Sequence, residues 1–143
     1  MNHLFVCKPE EYVDIPLNIS HQPHLYQMAL IGFYLKTNDS KLNWSERLHT
    51  TFIKCYCDIL PEQWDNGVMN PILSTIPIVR VVNSKHFATA QHITAPIYMP
   101  LDAGKVSSNK MKFWLQIGKK KKDSKVLLPT KVNLVVSLVK KLE

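Results

Sequence analysis

The chain has 143 residues, 45% of them hydrophobic and 20% charged, with four glycines and a formal net charge of +7. This length and composition fit one globular domain able to bury an ordinary hydrophobic core, and they exclude disordered and fibrous classes. No apolar run reaches the roughly 18 to 20 residues of a helical membrane span, and residues 1–11 lack the features of a secretory leader, so an intracellular location without signal-peptide secretion is expected.

Residues 4–7 and 11–19 read as extended, with Val13, Ile15 and Leu17 on one face and Pro16 arguing for an edge or irregular position. Residues 25–35 also fit helical spacing in part. Gly32 followed by Phe33 and Tyr34 is a poor helix interior, so a strand is expected there. Residues 42–49 are expected to form a short connecting helix capped by Asn43 or Ser45.

Residues 51–82 hold two strand-like runs joined by a Trp-Asp-Asn-Gly turn at 64–67. In the first, Ile53, Cys55, Cys57 and Ile59 share a core face opposite Phe52, Lys54, Tyr56 and Asp58. The second is more continuously apolar and carries Pro77, which predicts a bulge or a sheet edge. A further strand is expected over 91–99 between prolines, then a loop over 102–109. Residues 111–117 alternate, with Phe113, Leu115 and Ile117 opposed to Lys112, Trp114 and Gln116, and residues 131–139 alternate around Val132, Leu134, Val136 and Leu138. Residues 118–124 are read as the tip of a hairpin joining these last two regions. About eight strands with no strand–helix alternation predict a single all-β domain, a jelly-roll-like β-sandwich of antiparallel strands over residues 1–143.

Charge is placed unevenly. Residues 1–101 carry seven Lys/Arg against eight Asp/Glu, whereas residues 102–143 carry eleven against three, a local balance of +8. Lys119, Lys120, Lys121, Lys122 and Lys125 form its centre. Three readings stand side by side for this run: solvated charge, contact with nucleic acid or another polyanion, and a nuclear-targeting signal.

The three cysteines, Cys7, Cys55 and Cys57, follow neither disulfide nor zinc spacing. Plain core thiols are expected, with a metal or redox role as the alternative. Six scattered histidines form no metal pattern, and no nucleophile–base signature is present, so neither enzymatic activity nor a cofactor or metal is expected. Trp44, Trp64, Tyr98 and Trp114 are candidate anchors for an assembly interface, each with core packing as the competing assignment.

The run KCYCDILPEQW at 54–64, followed by NPILSTIPIV, HITAPIYMPL, FWLQIG and a closing VNLVVSLVKKL, resembles the jelly-roll capsid proteins of Polinton/Maverick-type elements and adintovirus-like viruses. Tyr56, Cys57, Asp58, Ile59, Gly67, Leu73, Pro96 and the 132–138 strand carry the likeness, and the upstream YVDIPLNI and YQMALIGFYL extend it over most of the chain. The resemblance implies a structural protein of a virus-like particle, a minor capsid or vertex component. Its implied location is the virion, and its implied partners are further copies of itself and other capsid proteins. The basic run separately offers nucleic acid as a partner, and the lack of an apolar span predicts no membrane. A receptor- or partner-binding domain displayed on a particle is the remaining alternative.

Overall fold

The computed structural model describes residues 3–37, 52–65, 67–77, 87–93, 95–117 and 131–142. Trp44, the expected helix over 42–49 and the lysines at 119–122 and 125 lie outside these residues.

Alternation of apolar side chains builds two antiparallel sheets that share one core. The strands are β1 (His3–Cys7), β2 (Tyr12–Asp14), β3 (Tyr26–Thr37), β4 (Phe52–Cys57), β5 (Gln63–Asp65), β6 (Val68–Asn70), β7 (Ile72–Pro77), β8 (Phe87–His92), β9 (Met99–Pro100), β10 (Lys110–Ile117) and β11 (Lys131–Lys140), with one short helix α1 (Leu17–His21). One sheet runs β1-β11-β3-β8, with β9 also on β3; the other runs β2-β10-β4-β7; β5 and β6 form a small hairpin of their own. The chain therefore crosses between sheets at nearly every step. The architecture is an all-β sandwich.

The inward faces are those the alternation marks. Cys7, Met28, Leu30, Phe33, Leu134, Val136 and Leu138 from one sheet meet Ile53, Cys55, Cys57, Leu73, Ile76, Met111 and Phe113 from the other in a single buried cluster. Phe113 on β10 is among the largest side chains fully removed from water. Each such aliphatic or aromatic burial contributes about 1.5–3 kcal/mol.

Four expectations are corrected. First, β10 pairs with β2 and β4 whereas β11 pairs with β1 and β3, so these strands do not form a hairpin; residues 118–130 connect one sheet to the other. Alternation reports which face of a strand is buried, not which strand lies beside it. Second, the extended reading of residues 11–19 holds only through β2. Pro16 sits at the N-cap of α1, its carbonyl accepts from the backbone N–H groups of Ile19 and Ser20, and Ile19 becomes the buried residue of that turn. Third, the expected strand over 91–99 splits into β8, which begins earlier at Phe87, and β9, with residues 96–98 outside any ladder. Fourth, the Trp-Asp-Asn-Gly turn does not join the two long strands directly but closes the β5–β6 hairpin. Asp65 opposes Val68 across a two-residue loop, and Gly67 has φ +82°. Glycine suits that position because it adopts positive φ at no steric cost.

β4 and β7 then pair antiparallel around this insertion, from Phe52 opposite Pro77 to Tyr56 opposite Ile72, with a register shift at Cys55/Tyr56. β7 ends its sheet, so Pro77 lies on an edge strand, where a missing N–H is tolerated.

Candidate functional site

The inserted hairpin is braced against the outer face of β4. Lys54 alternates away from the core and donates from Nζ to Asp65 Oδ1 at 2.7 Å. The Tyr56 hydroxyl lies 3.2 Å from Asp65 Oδ2 and 2.8 Å from Gln116 Oε1 on β10. A phenol has one proton, so both contacts are satisfied when the Gln116 amide turns its N–H toward the phenol oxygen and the phenol donates to Asp65. Trp114, also on the outer face of β10, stacks on Tyr56 with ring centroids 5.5 Å apart and an interplanar angle of 19°. Sheathed this way, Tyr56 is only 2% exposed although it points out of the sandwich. Nearby, Lys112 Nζ sits 5.4 Å from the centre of the Tyr12 ring.

A second brace fixes the chain on the approach to the hairpin. Lys105 Nζ donates to the Leu60 carbonyl at 2.7 Å and pairs with Glu62 at 2.8 Å. Asp102 caps the turn at residues 103–105, its Oδ1 accepting from the Gly104 N–H at 3.0 Å. The Asp102 N–H donates to the Ile59 carbonyl at 2.9 Å. The leading arm of the insertion is thereby tied to the sandwich, and its far end is held by the Cys57 N–H on the Pro71 carbonyl at 3.1 Å.

What this rigid hairpin presents is apolar. Trp64 and Met69 are cross-strand partners, and Trp64 is 74% exposed, with Val68 and Met69 also exposed. A rigid indole held in water beside a thioether is the composition found at the centres of protein interfaces.

Next to Trp64, Gln63 forms part of the wall of a cleft of about 520 Å3 lined chiefly by Leu30, Ile72, Leu73, Ile76, Ile97 and Met99. The cleft exists because β8 pairs with β3 only over Gly32–Thr37 and β9 only at Gln27 and Met28. Between them the chain leaves the ladder at Ile93, whose N–H still donates to the Ile31 carbonyl at 2.9 Å, and rejoins it at Met99. Leu30 is left facing the gap opposite edge strand β7. The Gln63 amide is loosely engaged at the mouth, 3.5 Å from the Ile72 carbonyl and 3.9 Å from Met99 Sδ. Among the described residues no Lys, Arg, His, Asp or Glu lines this cleft.

The resolved titrations move away from neutrality. Burial pushes the Cys7 thiol up to about 11 and raises Cys55 and Cys57 well above the ordinary thiol value, with neighbouring ionisable groups adding to the rise at both. Burial, together with the hydrogen bond to Asp65 and its charge, raises the Tyr56 hydroxyl to about 12. The Lys54 hydrogen bond holds the Asp65 carboxyl below its usual value. At neutral pH the thiols and phenol are protonated and the carboxylate is charged, which makes these groups structural partners and poor proton shuttles. Among the described residues no three His, Cys, Asp or Glu side chains converge to hold a metal.

Of the residues expected from sequence, Trp64 stands exposed on the hairpin and Trp114 is half-buried in the stack beneath it. Tyr98 lies apart, its hydroxyl 3.2 Å from Ser137 Oγ on the outer face of the other sheet. Met69, Val68, Gln63 and the cleft were not anticipated. Met69 carries a usable signal, the residue directly opposite Trp64 across an Asn-Gly turn.

The site thus defines an antiparallel β-sandwich that holds a braced apolar hairpin beside a cleft whose described lining is uncharged. In comparisons with known proteins, no family model, no curated protein and no solved structure matches this chain.

Proposed function

We propose that the chain is a non-enzymatic, self-assembling structural protein built on a jelly roll, a minor capsid or vertex component of a virus-like particle. The observation that carries this reading is the braced hairpin: Trp64 is held exposed on an insertion that the sandwich itself does not need for its core. The winding supports the jelly roll. Counting β1, β2, β3, β4, β7, β8, β10 and β11 as strands one to eight, the sheets run 1-8-3-6 and 2-7-4-5, the interleaved order of two Greek keys used by viral capsid domains. The mechanism is burial of exposed apolar and aromatic groups between copies, with closure set by symmetry. Electron microscopy of the purified protein tests it: small closed oligomers, rings or shells support the reading, and a field of uniform single particles of monomer size counts against it.

A second reading rests on the charge asymmetry. Residues 102–143 carry a balance of +8, centred on Lys119, Lys120, Lys121, Lys122 and Lys125, which suits a polyanion such as nucleic acid. Retention on heparin or DNA that falls steeply with salt, and is lost when Lys119 to Lys122 become Ala, supports this function; retention unchanged by those substitutions removes it.

A further inference from the structure

Two features find no partner among the described residues of a single copy: an indole held in water, and an open apolar cleft beside it. We propose that Trp64 of one copy fills the cleft of a second copy, and that the second returns its own Trp64, giving a closed two-fold pair. This rests on the self-assembly reading above and names the surfaces that carry it.

Three observations point to a second copy as the occupant. The first is electrostatic. A chain of net charge +7 repels itself, so association needs a contact patch free of like charge. Among the described residues the cleft has no ionisable lining side chain, and the Asp65 charge beside the indole is cancelled by Lys54 at 2.7 Å. The second is shape: the cleft, at about 520 Å3, lies in the size range of roughly 300–1,000 Å3 that accepts compact apolar groups, and its lining of Leu30, Ile72, Leu73 and Ile76 suits an aromatic ring. The third is area. A stable pair buries roughly 1,200 Å2 or more in total, and one indole supplies on the order of 200 Å2. A single insertion is small against that requirement, whereas reciprocal insertion brings two indoles, their cross-strand Met69 partners and two clefts into one contact. Reciprocity needs knob and hole close together on each copy, and they are: Gln63, the chain neighbour of Trp64, is part of the cleft wall.

The contact also accounts for the bracing. A hairpin free to move loses conformational entropy when it docks, and the Lys54–Asp65–Tyr56 cluster removes much of that cost beforehand. Gln63, held only by long contacts, is placed to turn its amide toward polar backbone of the incoming hairpin.

The test uses two single variants of the full chain. Trp64→Ala removes the knob and keeps the cleft; Ala95→Trp, at an exposed position in the cleft lining, fills the hole and keeps the knob. Sedimentation velocity is run on the parent, on each variant and on their equimolar mixture, with circular dichroism melts to show that all are folded. The expected result is a dimeric parent, a dissociation constant raised at least about 100-fold in each variant alone because both hot-spot residues of the pair are lost or blocked, and recovery of a 1:1 heterodimer in the mixture, weaker than the parent pair. Folded variants that associate as the parent does would overturn this contact while leaving self-assembly standing on other surfaces. A mixture that associates no more tightly than either variant alone would also overturn it, because the mixed pair keeps one knob and one open hole where each variant alone keeps none. A parent monomeric throughout removes the inference and the self-assembly reading together.

Discussion

Replacing Asp65 by Ala should release the hairpin from the sandwich without unfolding the sandwich. Lys54 and Asp65 are 15% and 14% exposed at their side chains, and the substitution removes the 2.7 Å ion pair and the phenol's charged acceptor while leaving Lys54 unpaired. Exposed pairs contribute about 0.2–1 kcal/mol and loss of one partner of a buried pair costs about 3–5 kcal/mol, so a largely but not wholly covered pair is placed at about 1–2 kcal/mol. With a urea slope of about 2 kcal/mol/M, that moves the unfolding midpoint down by about 0.5–1 M. Hydrogen exchange locates the effect: backbone amides of β5 and β6 should lose protection, while those of β4 and β10 near Ile53 and Phe113 keep theirs. The difference should also vanish in acid. Because Lys54 holds the Asp65 carboxyl below its ordinary value of 3.8, the unfolded state takes up that proton first as pH falls. The stabilisation is therefore present above about pH 4 and lost as pH drops through the folded-state value, so parent and variant should converge there. A variant that unfolds globally at neutral pH, or one whose β5–β6 amides exchange as slowly as the parent's, would refute the brace.

Other outcomes follow from the same packing. Phe113→Ala, at the fully buried centre of β10, should cost about 3–5 kcal/mol in urea unfolding, whereas Trp64→Ala at an exposed position should change monomer stability by less than about 0.5 kcal/mol. The buried thiols should resist Ellman's reagent at pH 8 until denaturant is added, and rapid labelling of the native protein would contradict their placement. Since Cys7, Cys55 and Cys57 all hold their protons above the ordinary 9.0 when folded, the unfolded state deprotonates first; stability should be full below about pH 9 and decline as pH rises beyond it, measured by thermal melts across that range. Gly67→Ala should cost about 1 kcal/mol through backbone strain alone, because φ is +82° and no atom lies within 4 Å of an added Cβ.

The core was legible in the sequence because burial imposes period two: Ile53, Cys55 and Cys57 are all buried, as are Val132, Leu134, Val136 and Leu138. The partners of those strands were not. The tripeptides of β5 and β6 are too short to show a period, so the insertion read as a simple turn, and the weak alternation of FATAQH hid β8. Nothing local announces the cleft, which arises from where β8 stops along β3, a relation between residues roughly sixty positions apart. Trp64 was visible as a residue type. Its exposure was not, because that depends on Asp65 turning inward to Lys54 and so turning the indole out.

The most direct measurement is the mass of the full chain in solution by sedimentation equilibrium, from low to high micromolar concentration and from low to high salt. Self-association through an uncharged apolar contact predicts a dimer or larger closed species that grows with concentration and persists at high salt. A single species of 16.5 kDa under every condition would contradict it.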